Sequence, residues 1–334
     1  MRERGCLIFK KSKNVDLTSG KYRVTIQYIP REMRKLMKYA VIDIGSNTVK
    51  MSLFSENKTL IQKYSQSVRL LSHIENGSLT QIGTETLIHT LKTFQLFLLA
   101  YEPIHTVCYA TAALRAVANR QAVTDAVKNE TGLTVDVLSG EEEAALSLKG
   151  IALVSGINTE KAAFFDLGGG SLEVVIPRGT APCIHSFPLG ALRLYHAFLH
   201  TVYPNAEELQ AIYHHAQTLA DKEKLPCHSG RVLAVGGTLR AAASLLAHCE
   251  GKRYDETLPY VITRDMLVSL LSDIVTGDST TRQVLSEHLP ERKHTLAPGL
   301  CAFLALLDAI KADTFTLVNG GVREGYLAKI TERA

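Results

Sequence analysis

Ala40-Val-Ile-Asp43-Ile-Gly45-Ser-Asn-Thr-Val-Lys-Met-Ser-Leu53 and Ala163-Phe-Phe-Asp166-Leu-Gly168-Gly-Gly-Ser-Leu-Glu-Val-Val-Ile176 read alike. Each has three apolar residues, an aspartate, one more apolar residue, a glycine, a short polar turn and an outgoing apolar strand. The two copies are offset by 123 residues. Short apolar runs closed by turn residues mark buried strands. A repeat of this length points to two duplicated α/β units facing one another and not to a solenoid.

Outward from the first copy, 39–44 and 49–54 read as a hairpin and 60–70 as a third strand. Residues 79–101 read as a helix, 107–110 as a strand, 113–130 as a helix and 133–138 as a strand. A helix over 141–154 sets Ala144, Leu148 and Ile151 on one face. In the second half Gly236-Gly237-Thr238 opens a helix. The chain closes with a strand over 314–319, a turn at Gly320-Gly321 and a helix over 322–330.

The 334 residues are 46% hydrophobic and 21% charged, which excludes a disordered or fibrous chain. No apolar run reaches the ~18–20 residues of a membrane span; Pro298, Gly299 and Asp308 interrupt the best candidate, 297–310. The opening residues do not read as a secretory signal. Six cysteines without a CxxC spacing read as reduced thiols in a cytoplasmic protein. Residues 1–38 carry eleven Lys/Arg against three Asp/Glu, a net of +8, so the rest of the chain carries −4 of the total +4. Basicity therefore resides in an N-terminal extension, and no specific nucleic-acid binding is expected. Within it 22–29 alternates weakly like a strand and 31–38 reads as a basic helical turn. Met37 is the expected natural start. A basic arm that docks on a partner is the alternative.

The two Asp-x-Gly turns carry the chemistry. A tight turn rich in Gly and Ser bares backbone N–H groups that bind anions, and glycine lets a phosphate approach the main chain. An aspartate beside a phosphate makes sense with a divalent cation, Mg2+, between them. No GxxxxGK[ST] occurs, and GGGSLE runs into a strand, so neither a P-loop nor a dinucleotide fingerprint is written here. Ser139 with Glu142 forms a capping box, and the carboxylates of that first turn, Glu143 included, sit at the positive end of the helix dipole, which favours ionisation. Capping and solubility alone would also account for these glutamates. His196 and His200 have the i, i+4 spacing of a zinc pair but lack a third ligand and read as structural. His214-His215 reads as a solvated helix face. Arg240 reads first as a solvated arginine at a helix start and, alternatively, as a contact to a nucleotide or phosphate. Arg292-Lys293-His294 reads equally as a surface turn and as the lining of a polyanion channel.

YAVIDIGSNTVKMSLF, CYATAALRAVAN, VLSGEEEAALSLKGI, FFDLGGGSLEVVI, FPLGALRL, AVGGTLRAAASLL and VNGGVREGYL occur in this order. Together they resemble the exopolyphosphatase/guanosine pentaphosphatase (Ppx/GppA) family, over about 38–334, in its short two-domain form. The resemblance implies two duplicated actin-like ATPase (ribonuclease H-like) domains with a cleft between them. The first would take in 38–141 plus 321–334 and the second 142–320. Glu143 matches the base that takes a proton from the attacking water. Asp166 and Glu173 match the acidic pair of the second hairpin, associated with metal and water, and Asp43 is its counterpart in the first. Gly45, Ser46, Asn47 and Thr48 match one phosphate loop; Gly168, Gly169, Gly170 and Ser171 match the other. Arg115 matches an arginine on the terminal phosphate, and Arg69 and Arg292 match family arginines. After Arg69 the chain reads Leu-Ser-His-Ile-Glu where the family has a glycine-containing stretch, and Gly236–Arg240 carries fewer Gly and Thr than in relatives.

The implied activity is hydrolysis of terminal phosphoanhydride bonds of inorganic polyphosphate, guanosine pentaphosphate or both, with Mg2+. Such hydrolysis needs an in-line water, a base and cations or N–H groups around the phosphoryl. A glutamate of near-normal pKa is ionised at neutral pH and serves as that base. The alternatives are a phosphotransferase of the same fold, told apart by its phosphorylated acceptor, and a guanosine tetra- or pentaphosphate binder with little turnover. No membrane partner is expected; a homodimer is compatible.

Overall fold

The computed structural model describes residues 38–101, 104–179 and 181–332. The strand-like and helical readings within 1–37, and the choice between Met37 and a docking arm, lie outside the described residues.

The first half runs β1 Lys38–Ile44, β2 Thr48–Phe54, β3 Leu60–Ser67, a small hairpin of β4 Ile74–Glu75 and β5 Ser78–Leu79, α1 Gln81–Leu98, β6 Ile104–Ala110, α2 Ala112–Arg115, α3 Arg120–Thr131, β7 Val135–Val137 and α4 Gly140–Ser155. The second runs β8 Ala163–Leu167, β9 Leu172–Ile176, β10 Cys183–Phe187, α5 Ala191–Phe198, α6 Ala206–Lys222, β11 Val232–Val235, α7 Gly237–Cys249, β12 Tyr260–Thr263, α8 Arg264–Thr276, α9 Ser279–His288, α10 Leu296–Ala309, β13 Thr314–Leu317 and α11 Val322–Thr331. The first sheet has the order β3-β2-β1-β6-β7 and the second β10-β9-β8-β11-β13-β12. Apart from β12 on its far edge, the second sheet repeats the first: an antiparallel three-strand meander continued by parallel strands. The duplication read from the two hairpins therefore extends to whole sheets.

Strand parity decides what faces the cleft. Ala40, Ile42 and Ile44 point into the main core of the first lobe, whereas Val41 packs with Tyr326 and Leu327 of α11. Ala163, Phe165 and Leu167 point into the main core of the second lobe, whereas Phe164 packs with Ala144 and Ile151 of α4. Strands buried on both faces read as continuous apolar runs. With a period of two, Asp43 shares the α11 face with Val41, and Asp166 shares the α4 face with Phe164. Behind the second sheet lies α10, whose residues 296–307 are all buried.

Helices α4 and α11 cross backbone to backbone. A Cβ on Gly150 would collide with Gly321 O, and one on Gly325 with Leu146 O. Helix α4 also touches β8, β9 and β10, so the expected boundaries at 141/142 and 320/321 fall where one helix is shared by both lobes.

Two expectations need correction. The third strand ends at Ser67, because Arg69 takes the left-handed conformation (φ 46°) and leads into a 3-10 turn at Leu70–His73. The helix expected over 113–130 is broken between α2 and α3, where the Asn119 amide pairs with both backbone groups of Leu79, at 2.9 and 2.8 Å. A side chain that binds neighbouring main chain in this way competes with helix continuity.

Candidate functional site

Each hairpin closes with the same contact: Gly45 N–H donates to Thr48 O at 3.2 Å and Gly168 N–H to Ser171 O at 3.0 Å. Across the strands Asp43 stands opposite Lys50, and Asp166 opposite Glu173. Lys50 and Glu173 occupy the same place in the repeat, so one aspartate has a cation as partner and the other an anion. The loops touch between lobes. A Cβ on Gly170 would meet the Ser46 side chain and Ala112 Cβ.

The second loop is held from behind. The amides of Ala191, Leu192 and Arg193 at the start of α5 donate to the carbonyls of Gly168 and Gly169, and Arg193 Nε donates to Gly170 O at 2.9 Å. The amides of Gly169 and Gly170 have no acceptor among the described residues. Both glycines line one cleft of about 960 Å3, measured out to open solvent.

That cleft brings together Asp43, Gly45 to Thr48, Glu143, Asp166 and Gly168 to Ser171. Lys50, Arg240, Arg292 and Arg323 share its lining. The reading of Arg240 as a solvated arginine is thus corrected: the residue is half-buried on the cleft wall. Arg292 lies over the start of α7, where a Cβ on Gly237 would sit 2.7 Å from its guanidinium. Lys50 and Arg323 went unassigned from sequence. The signal for Lys50 was its place at the repeat position of Glu173; for Arg323 it was the VNGGVREGYL motif.

Glu143 is fixed by the α4 capping box, with Ser139 Oγ accepting from Glu142 N–H at 3.1 Å and Glu142 Oε2 from Ser139 N–H at 2.9 Å. Arg115 reaches Glu143 Oε2 at 2.7 Å, Glu173 Oε1 at 3.2 Å, Ser186 Oγ at 3.0 Å and Leu138 O at 3.2 Å. Arg115 and Glu173 therefore stand behind the cleft wall, tied to Glu143, and neither is among the cleft-lining residues. Arg69 is not among them either; it is exposed at the rim.

The helix dipole does not set the state of Glu143. Burial raises its pKa well above the usual carboxylate value, the charge of Glu173 adds to this, and Arg115 opposes it. The expectation of a near-normal pKa is corrected accordingly. Removal from water outweighs the dipole. Burial also raises Asp43 against the opposing charges of Lys50 and Arg323, and raises Asp166 against the hydrogen bond from Ser147 Oγ at 2.8 Å.

The residues fit a hard divalent cation shared with a substrate. Asp43 and Asp166 offer carboxylates from the two lobes, and two buried oxygens, Asn47 Oδ1 and Glu173 Oε2, have no hydrogen-bond partner among the described residues. Among the described residues no group of three or more His, Cys, Asp or Glu could by itself hold an ion. Mg2+ takes few protein ligands and completes its shell with water and phosphate oxygens. Helix α5 ends at Phe198 and His200 lies beyond it, so the two histidines do not share a helix face. No described helix is long and apolar enough to cross a membrane.

Comparison with known proteins follows this geometry. The chain is 27% identical over 304 residues to the guanosine-5'-triphosphate,3'-diphosphate pyrophosphatase of Vibrio parahaemolyticus, covering 88% of this chain and 59% of that one. It is 26% identical over 306 residues to exopolyphosphatase 1 of Mycobacterium bovis, covering 88% of each. The chain thus spans less than two thirds of the first relative and most of the second. Its fold is shared with the Aquifex aeolicus Ppx/GppA family member (TM-score 0.70, 24% identity, 89% of this chain and 98% of that one). It is shared also with an exopolyphosphatase from Cytophaga hutchinsonii (TM-score 0.74, 19% identity, 89% and 98%). The model of the Ppx/GppA phosphatase family matches residues 50–334, which takes in the second loop, the glutamate helix and α11, and the chain belongs to that family.

Proposed function

We propose that the chain hydrolyses terminal phosphoanhydride bonds, releasing phosphate from inorganic polyphosphate, guanosine pentaphosphate or both. One observation carries the reading: Asp43, Asp166 and Glu143 line the same cleft as the two glycine loops. The names of the relatives, an exopolyphosphatase and a guanosine pentaphosphate pyrophosphatase, agree with it.

In this mechanism the free amides of the second loop and the cations Lys50, Arg240, Arg292 and Arg323 receive the phosphate oxygens. Asp43 and Asp166 would hold Mg2+, with Glu173 Oε2 behind them. Bound there, the ion supplies Lewis-acid polarisation and offsets phosphate charge. Glu143 takes a proton from the water that attacks the terminal phosphorus. The P–O bond to the leaving phosphate then breaks, and that oxygen departs with the bridging electron pair. A raised pKa makes the ionised carboxylate a stronger proton acceptor than an ordinary one. Arg115 holds Glu143 Oε2, so that the other oxygen is free to meet water. Arg115 also bridges to Glu173 and Ser186 of the second lobe. The base is thereby registered to the second hairpin.

The test is phosphate release from long polyphosphate and from guanosine pentaphosphate, side by side and at equal magnesium. Glu143→Gln is expected to lower kcat by about 10²–10⁴, with little change in melting. Equal rates for the two proteins would remove Glu143 from the mechanism.

A further inference from the structure

Each cleft aspartate has a neighbour on the adjoining parallel strand. In the second lobe Asp166 stands beside Val235 of β11; in the first, Asp43 stands beside Tyr109 of β6. Strands β11 and β6 hold the same place in their sheets, so the valine and the tyrosine are repeat counterparts. Both are buried and both line the cleft. The fold accepts a plain apolar side chain at this position in one lobe, so filling the core does not by itself call for a hydroxyl in the other. The Tyr109 ring is firmly held. It packs among Val41, Phe54, Leu138 and Leu146. It also stacks on Tyr326 with centroids 5.0 Å apart, and the Tyr326 hydroxyl donates in turn to Asp136 Oδ2 at 2.9 Å.

The hydroxyl on that ring is buried without a hydrogen-bond partner among the described residues. Buried polar groups are rarely left so, because the lost hydration is not replaced. Burial, and after it the charge of Asp43, raises the pKa of Tyr109 well above the ordinary phenol value, so the hydroxyl keeps its proton to donate. Three carboxylates act on it: Asp43, Glu324 and Glu143. Glu143 is taken by Arg115 and Glu324 by Arg323. Asp43 makes no ion pair among the described residues, and the hydroxyl that acts on it is that of Tyr109. The contact favours the ionised aspartate yet falls short of a proper hydrogen bond. Asp166 already has its donor, Ser147 Oγ at 2.8 Å. The two aspartates are thus served by hydroxyls from different elements, one bond closed and the other open.

We infer that Tyr109 is the positioning residue of Asp43: its hydroxyl fixes the Asp43 carboxylate, and the hydrogen bond between them closes when the cleft takes up its divalent cation. A hydrogen-bond partner behind a ligating carboxylate orients it, and loss of such a partner typically costs about 10–100-fold in metal affinity. The inference rests on the proposed reading of Asp43 as a cation ligand and needs no particular phosphate substrate.

The test is calorimetric titration of Mg2+ into wild type and Tyr109→Phe, with tyrosine absorption followed in parallel. The chain has twelve tyrosines and no tryptophan, so the phenol bands are not masked. Tyr109→Phe keeps the ring and its stacking. Without cation its melting is expected to match wild type or rise, since a buried unpaired hydroxyl is removed. Magnesium affinity is expected to fall about tenfold or more, and the tyrosine difference band that magnesium induces in wild type is expected to disappear. Unchanged affinity, or a band that survives the substitution, overturns the inference. Should the variant melt early, the band is read in Asp43→Asn at saturating magnesium; its loss supports the pairing and its persistence overturns it. Wild type that releases phosphate while both proteins bind magnesium alike sinks the inference alone. Wild type that binds magnesium more tightly than the variant but releases no phosphate sinks the hydrolase reading alone. Wild type that binds no magnesium removes the cation from Asp43, and the inference with it.

Discussion

Gly170→Ala tests whether the two loops meet as closely as the coordinates have them. The new methyl would fall inside contact distance of Ser46 Oγ and lie 2.9 Å from Ala112 Cβ and 3.2 Å from Ser46 Cβ. The Ser46 hydroxyl can turn away, but the two carbons are fixed by their backbones. Carbon atoms rest about 3.5–4.0 Å apart. The lobes must therefore part by somewhat less than about 1 Å. Because a misplacement of that size at a reacting centre costs about 10²-fold, kcat for phosphate release is expected to fall about a hundredfold. Overpacking costs about 1–3 kcal/mol, read as the shift of a urea denaturation midpoint. The companion Gly170→Ala/Ala112→Gly removes the shorter carbon contact and is expected to recover about tenfold of the rate, a part of the loss set by the same displacement argument. Wild-type kcat with an unmoved midpoint in the single variant would refute the close register of the loops.

Gly150→Ala places a methyl against Gly321 O and 2.9 Å from both Gly321 C and Gly325 N. Neither helix backbone can yield, and stability is expected to drop by about 3 kcal/mol; an unchanged denaturation midpoint would count against the α4–α11 crossing. Ser147→Ala takes from Asp166 Oδ2 the hydroxyl that donates to it. A hydrogen bond to a charged group contributes about 1.5–3 kcal/mol, so the magnesium needed for half-maximal phosphate release is expected to rise about tenfold. A magnesium titration that superimposes on wild type would detach Asp166 from the cation.

What could be read from the letters was local. The two hairpins, their turns, the capping box at Ser139 and the helix at Gly237 follow from residue spacing within a few positions, and the coordinates reproduce them. Parity along β1 and β8 even places both aspartates on the faces away from the main cores. What escaped depends on partners far along the chain. The break at Asn119 needs Leu79, which nothing near residue 119 announces. The raised pKa of Glu143 needs Glu173 and the burial created by folding; only the helix dipole was legible locally, and it is the weaker effect. Arg240 looked solvated because α7 begins with it on an open turn, yet α7 itself starts at the cleft wall. Arg115 matched a phosphate ligand by motif; its contacts to Glu143, Glu173 and Ser186, far along the chain, were not legible.

A duplicated hairpin closing on itself would offer an incoming polymer two equivalent sides and no preferred end. The exchange of one cross-strand partner, Lys50 in the first copy for Glu173 in the second, abolishes that equivalence. On the proposed reading, one wall attracts the anionic substrate, and the other has the proton acceptor wired behind it. Lys50 and Glu173 mark one of several positions at which the two copies differ, and the one at which the difference is a reversal of charge.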